Sequence, residues 1–281
     1  MKRKKLINRL PVWLRVSIYF TVIIVAAYIA GSVPVLDSIF FYFGIALSQS
    51  FLFLHAEGKP LTSLGILPSG ASDWRNFFRG LGWGIVALLT SAGITIALNG
   101  SRLEFNGRLD PVFLLILVLA HIWSSFVQEF TYRGYPFQNL LKSYGPWVAQ
   151  LAVTLPFAVM HLKLNTEISW QQFLMTWLTT GMGSVLYGLC YLKTGKLILP
   201  TGLHFGWNLA QALVPRSPDE PKTILFTLYQ DNRHYQPLYV LLPYIGVTAI
   251  MMVLIWRSNT LETTKEKQNQ CDFLKTRRFM Q

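Results

Sequence analysis

Residues 111 to 133 read PVFLLILVLAHIWSSFVQEFTYR, an apolar run that ends in the polar cluster Gln128-Glu129-Phe130-Thr131-Tyr132-Arg133. The part from 111 to 129 is long enough to cross a hydrocarbon layer of about 30 Å, which takes roughly 17–25 helical residues. Comparable runs lie near 14–33, 38–55, 77–98 and 237–256, and weaker ones near 146–162, 172–192 and 197–214. The expected fold is therefore all-α, a polytopic transmembrane helical bundle of about eight spans. With 52% hydrophobic and 14% charged residues among 281, the chain departs from the composition of ordinary soluble domains.

Lys and Arg accumulate on the cytoplasmic side of a membrane. With the amino terminus inside, eight spans leave only Arg102, Arg108, Lys163, Arg216, Lys222 and Arg233 outside, out of 25 basic residues. Both termini are thus expected in the cytoplasm. The net charge of +12 follows from this bias and from basic ends lying against anionic headgroups, so no nucleic-acid partner is expected. Met1-Lys2-Arg3-Lys4-Lys5 before an apolar stretch reads as an uncleaved signal anchor. The expected location is integral to the plasma (inner) membrane, with lipids and a peptide or protein substrate as partners. Cys190 falls in a span and Cys271 in the basic tail, so neither a disulfide between them nor metal ligation is expected.

Four sections follow from this pattern: amino-terminal spans over 1–109, a core over 110–214, an external loop and last span over 215–257, and a basic cytoplasmic tail over 258–281. Asp37-Ser38, Ser72-Asp73 and Asp110-Pro111 read as helix starts, and Gly134 with Pro136 as a helix end. Gly80, Gly84, Gly181, Gly183, Gly202 and Gly206 mark places where helix backbones can approach closely. Trp13, Trp74, Trp147, Trp170 and Trp256 fall near span ends, as interfacial belts require, and carry no information on substrate.

Ionisable groups at membrane depth cost about 2.5–3.5 kcal/mol each on insertion scales, which makes them candidate functional residues. Residues four apart share a helix face. This pairs Glu129 with Arg133, Phe157 with His161 and His204 with Asn208. The plainer readings are a structural salt bridge with a positive-inside arginine, and histidines satisfied by interhelical hydrogen bonds. Two such histidines together with a carboxylate, an arginine and an amide exceed what those readings explain.

In order and spacing the three clusters resemble the CPBP family of intramembrane proteases, the type 2 CAAX prenyl endopeptidase or Abi family. Its pattern is EExxxR, FxxxH, then HxxxN or HxxxD. QEFTYRGY from Gln128 to Tyr135 resembles the first motif, FAVMH ending at His161 the second and HFGWN from His204 to Asn208 the third. The resemblance covers residues 110 to 214. It implies that His161 joins the first-motif carboxylate in holding water, while His204 and Asn208 line an oxyanion hole. Two histidines plus Glu129 could also ligate zinc. A metal-free site with no cofactor is preferred, because Asn208 and Arg133 suit charge stabilisation better than coordination.

The first glutamate of the family pattern is Gln128 here, and an amide cannot serve as general base near neutral pH. Glu129 points about 100° away from position 128 on the helix, towards Arg133. His121, Ser125, Gln128 and Tyr132 fall along one face, so His121 is a further candidate source of basicity. The expected function is an intramembrane endopeptidase cutting near the cytoplasmic face. The alternatives are a pseudoprotease that binds a peptide or membrane partner without cutting it, and a small transporter, although no internal repeat supports the latter.

Overall fold

The structure is a computed structural model that describes residues 9–33, 39–107, 110–162, 166–216, 222–229 and 236–258. Lys2 to Lys5, Asp37-Ser38, Arg108, Lys163, Arg233, Cys271 and the basic tail lie outside the described residues. Helices α1 (Val12–Ser32), α2 (Ile39–Glu57), α3 (Ala71–Asn99) and α4 (Pro111–Arg133) are followed by α5 (Tyr135–Val159), α6 (Trp170–Thr194), α7 (Ile198–Leu213) and α8 (Leu238–Arg257). A short 3₁₀ turn at Leu61–Leu64 and strands β1 (Arg102–Phe105) and β2 (Phe226–Tyr229) complete the described elements.

These eight helices overlap the stretches expected to be spans, and the fold is a polytopic helical membrane bundle. Six stretches are long and apolar enough to cross a membrane, by length and composition. One of them, Pro111–Val159, joins α4 and α5. Within α5 the chain bends at Gly145, whose φ of 84° and ψ of 175° are non-helical and favour glycine. The 16 residues of α7 are about 24 Å long, short of a full hydrocarbon thickness. Its residues Leu199 to Trp207 are all buried, so α7 is a core helix enclosed by its neighbours.

Helix ends sort into two sets. At one, Glu57 pairs with both Arg15 and Lys59 and accepts a 2.9 Å hydrogen bond from the Tyr135 hydroxyl. The Leu197 N–H donates to the Gly65 carbonyl at 3.1 Å at this same end, the one that the basic residues place in the cytoplasm. At the other end β1 and β2 pair antiparallel, with Arg102 opposite Tyr229 and Phe105 opposite Phe226. The ribbon was not expected from sequence. Its strands are four residues each and lie far apart in the chain, so no local pattern announces them.

The helix starts follow capping chemistry with one correction. Asp110 caps α4 through Oδ1, which accepts from the Val112 and Phe113 N–H groups at 2.9 and 3.2 Å, with Pro111 in the first turn. Ser72-Asp73 does not start α3. The helix begins at Ala71 after Gly70, and Asp73 reaches back from the first turn to accept from the Ser69 N–H at 2.7 Å. It also pairs with Lys196 at 2.8 Å, tying α3 to the turn before α7.

The closest packing in the bundle is between α3 and α7. A Cβ added at Gly80 or Gly84 would lie 2.5 Å from the Leu199 carbonyl oxygen or 2.2 Å from that of Leu203. One added at Gly202 or Gly206 would lie 2.2 Å from the Phe77 oxygen or 2.1 Å from that of Leu81. Both helices therefore need glycine at two positions four apart for their backbones to touch. At Gly181 and Gly183, also expected to permit close approach, an added Cβ would meet ordinary contacts of 3.5 and 3.6 Å. The α3–α7 seam fixes α7, which carries His204 and Asn208, against the rest of the bundle.

Candidate active site

The last turn of α4 buries an ion pair with both side chains fully excluded from solvent. Arg133 Nη1 donates to Glu129 Oε1 at 3.4 Å, and Nη2 donates to the Ser184 carbonyl and hydroxyl at 2.6 and 2.8 Å. The guanidinium carbon lies 4.9 Å from the Phe157 ring centroid and 5.4 Å from that of Tyr187. A cation at this depth is tolerable only with a counter-ion and hydrogen bonds, and α6 supplies what Glu129 alone does not. On the side of the Leu61–Leu64 turn the pair is packed over. Gln138 Nε2 donates to the Leu64 and Arg133 carbonyls at 3.0 and 3.2 Å, beneath buried Tyr135 and Phe137.

Helix α7 brings His204 to this carboxylate, with Nδ1 at 2.8 Å from Glu129 Oε1. The Tyr187 ring stacks on the imidazole at 4.3 Å between centroids and 12° between planes. A carboxylate accepts only, so Nδ1 of His204 carries the proton and in the neutral ring Nε2 keeps its lone pair. The same reasoning applies to His161, whose Nδ1 lies 2.7 Å from the Phe157 carbonyl oxygen. Phe157 packs against both imidazoles, at 4.7 Å from His161 and 6.3 Å from His204.

His161, His204 and Asn208 line one cavity of about 460 Å³, together with Phe157, Tyr187, Trp207 and Tyr244. Asn208 Nδ2 also donates to Ser125 Oγ at 3.4 Å. Glu129 stands behind His204, and its Oε2 is buried with no hydrogen-bond partner among the described residues. Gln128 turns elsewhere: its Nε2 donates to Ser124 Oγ at 3.2 Å. His121 and Ser124 line a neighbouring cavity that shares Asn208 and Gln211 with the first. His121 and Asn208 thus share the lining of this second cavity.

The cavity extends well beyond the motif residues. Its wall runs from the histidines to Arg216 and Pro237, beside the ribbon, which is the end that the charge bias places outside. Among the described residues no three His, Cys, Asp or Glu side chains come together as a group that could hold a metal ion. Ser184 and Tyr187 were missed from sequence, because a serine and a tyrosine on an apolar helix carry no motif that sets them apart.

The bundle thus gathers a buried carboxylate–histidine pair, a second histidine and an amide around one cavity. Residues 110–210, which contain all three motifs, match the family model described as Type II CAAX prenyl endopeptidase Rce1-like, in agreement with the resemblance read from the motifs. No curated protein matches the chain.

Proposed function

We propose that the protein is an intramembrane endopeptidase whose general base is His204, oriented by Glu129. The observation that carries this reading is the 2.8 Å contact between His204 Nδ1 and Glu129 Oε1. It fixes the tautomer and directs a basic Nε2 away from the carboxylate, the arrangement by which a buried carboxylate prepares a histidine for proton transfer. Water held between His204 and His161 attacks the peptide carbonyl carbon as Nε2 of His204 takes its proton. The Asn208 amide donates to the oxyanion. The tetrahedral intermediate collapses, the C–N bond breaks and the imidazolium returns the proton to the leaving amine. Arg133 holds Glu129 in place.

This assignment moves His204 from the oxyanion hole that the family resemblance implies to the proton-transfer role, and it needs no carboxylate at position 128. The family description, a CAAX prenyl endopeptidase, supports a protein or peptide as the substrate. The orientation of Gln128 towards Ser124 is the observation favouring the rival reading, a peptide-binding protein without catalysis. Cleavage of lipid-tethered peptides by the protein in liposomes separates the two. The enzyme reading expects turnover that falls about 10²–10⁴-fold in His204→Ala and in Glu129→Gln. Peptide binding without turnover in the native chain would establish the rival.

A further inference from the structure

His204 is held at Nδ1 by its 2.8 Å contact with Glu129 Oε1. A hydrogen bond weakens steeply only once its angle falls below about 120°, and the torsion joining an sp² ring to its chain is broad. The contact with Glu129 therefore leaves the imidazole free to tilt, and with it the direction of Nε2. The Tyr187 ring meets that freedom. It stacks on the imidazole at 4.3 Å between centroids and 12° between planes, and both residues are buried. Tyr187 is itself pinned, with Phe157 edge-on at 6.5 Å and the Arg133 guanidinium carbon 5.4 Å from its centroid. Around it α6 is docked tightly on α5. A Cβ at Gly188 would lie 1.8 Å from Gln150 Oε1, and Gln150 Nε2 donates to the Val185 carbonyl at 3.2 Å. Ser184, three residues before Tyr187 and on the same helix face, accepts from Arg133 at 2.6 and 2.8 Å. One face of α6 thus supports both partners of Glu129, the cation through Ser184 and the imidazole through Tyr187.

Resting on the proteolytic reading, we infer that Tyr187 is a positioning residue for proton transfer, whose stacked ring sets the plane of His204 and so aims Nε2 at the reacting water. Glu129 fixes one ring atom and the tautomer, and Tyr187 fixes the plane. Neither does both. Two aromatic faces in offset contact resist tilting, because a tilt gives up contact area and the preferred quadrupole geometry together. The ring carries this role and not the hydroxyl, so phenylalanine replaces tyrosine. An aliphatic side chain of similar bulk fills the space but lets the imidazole swing. A misplacement of about 1 Å can cost about 10²-fold in rate. That loss falls on kcat, since the peptide's contacts with the rest of the cavity wall stay as they are.

The test uses the full-length protein in nanodiscs, native and as Tyr187→Phe, Tyr187→Leu and Tyr187→Met, each counted as folded protein by size exclusion. The first readout is ¹⁵N NMR of histidine-labelled protein at a pH where the imidazoles are neutral, with the His204 signals assigned by their loss in His204→Ala. A tilted ring bends the bond to Glu129, so the other tautomer becomes populated, and this is seen without any turnover. Native protein and Tyr187→Phe should show the Nδ1–H tautomer alone, and the two aliphatic variants a mixture. The second readout is cleavage of one lipid-tethered peptide. Tyr187→Phe should keep most of the native kcat, while Tyr187→Leu and Tyr187→Met should lose roughly tenfold to a hundredfold in kcat with KM within about twofold. Mixed tautomers in the native protein, or a single Nδ1–H tautomer in either aliphatic variant, overturn the inference. So does a loss in Tyr187→Phe equal to that in Tyr187→Leu, which assigns the role to the hydroxyl. A rise in KM at constant kcat does so too, because it makes Tyr187 a wall of the substrate site. The expected tautomer difference with no cleavage by the native chain upholds the positioning of His204 and removes the proteolytic reading.

Discussion

Replacing Glu129 by Gln removes one negative charge at nearly constant volume from a site with no solvent access. Arg133 then remains as a buried cation. It keeps its bonds to Ser184 at 2.6 and 2.8 Å but loses its counter-ion. Breaking one partner of a buried ion pair costs about 3–5 kcal/mol. At about 2–4 °C of melting temperature per kcal/mol, the midpoint should fall by roughly 6–20 °C. The assay is thermal unfolding in a mild detergent, run alongside Arg133→Met and the double variant. Because the double variant removes both charges together, its loss should be smaller than the sum of the two single losses by a coupling of about 1–3 kcal/mol. A change under 2 °C for Glu129→Gln, or strict additivity in the cycle, would refute the view that this pair is held by mutual charge compensation.

Further expectations concern the seam, the cap and the departure from the family motif. Gly84→Ala places a methyl 2.2 Å from the Leu203 carbonyl and should destabilise by about 1–3 kcal/mol, whereas Gly93→Ala, with nothing within 4 Å, should be neutral or stabilising in the same melt. Asp110→Ala should cost about 1 kcal/mol through loss of the α4 cap, and Asp110→Asn should recover most of it. Gln128→Glu should change peptide cleavage by less than about tenfold, because the base is His204. A rise of a hundredfold or more would return that role to position 128.

The pairs Glu129 with Arg133 and His204 with Asn208 were legible as shared helix faces, because four-residue spacing on a helix leaves little freedom. The mutual approach of α4 and α7 was not. It depends on where Gly80 and Gly84 let α3 touch Gly202 and Gly206, and the glycines announce close packing without naming the partner helix. Asp73 was read as a helix start, but its carboxylate reaches Ser69 and Lys196, a partner far away in sequence. The packing beside Arg133 was hidden for a related reason. Gln138 and Leu64 meet through a side-chain bond to a backbone carbonyl, which leaves no trace in hydropathy. Tyr187 shows the same limit, since its stacking on His204 is a tertiary contact between α6 and α7.

The central claim is that His204 activates water for peptide hydrolysis, and isotope transfer addresses it most directly. Cleavage of a lipid-tethered peptide by the reconstituted protein in H₂¹⁸O should place one ¹⁸O in the new carboxyl group of the amino-terminal fragment and none in the released amine fragment. His204→Ala should abolish the labelled product while Gln128→Ala retains it. Labelled product formed equally well by His204→Ala, or none formed by the native chain while the peptide binds in the cavity, would contradict the account.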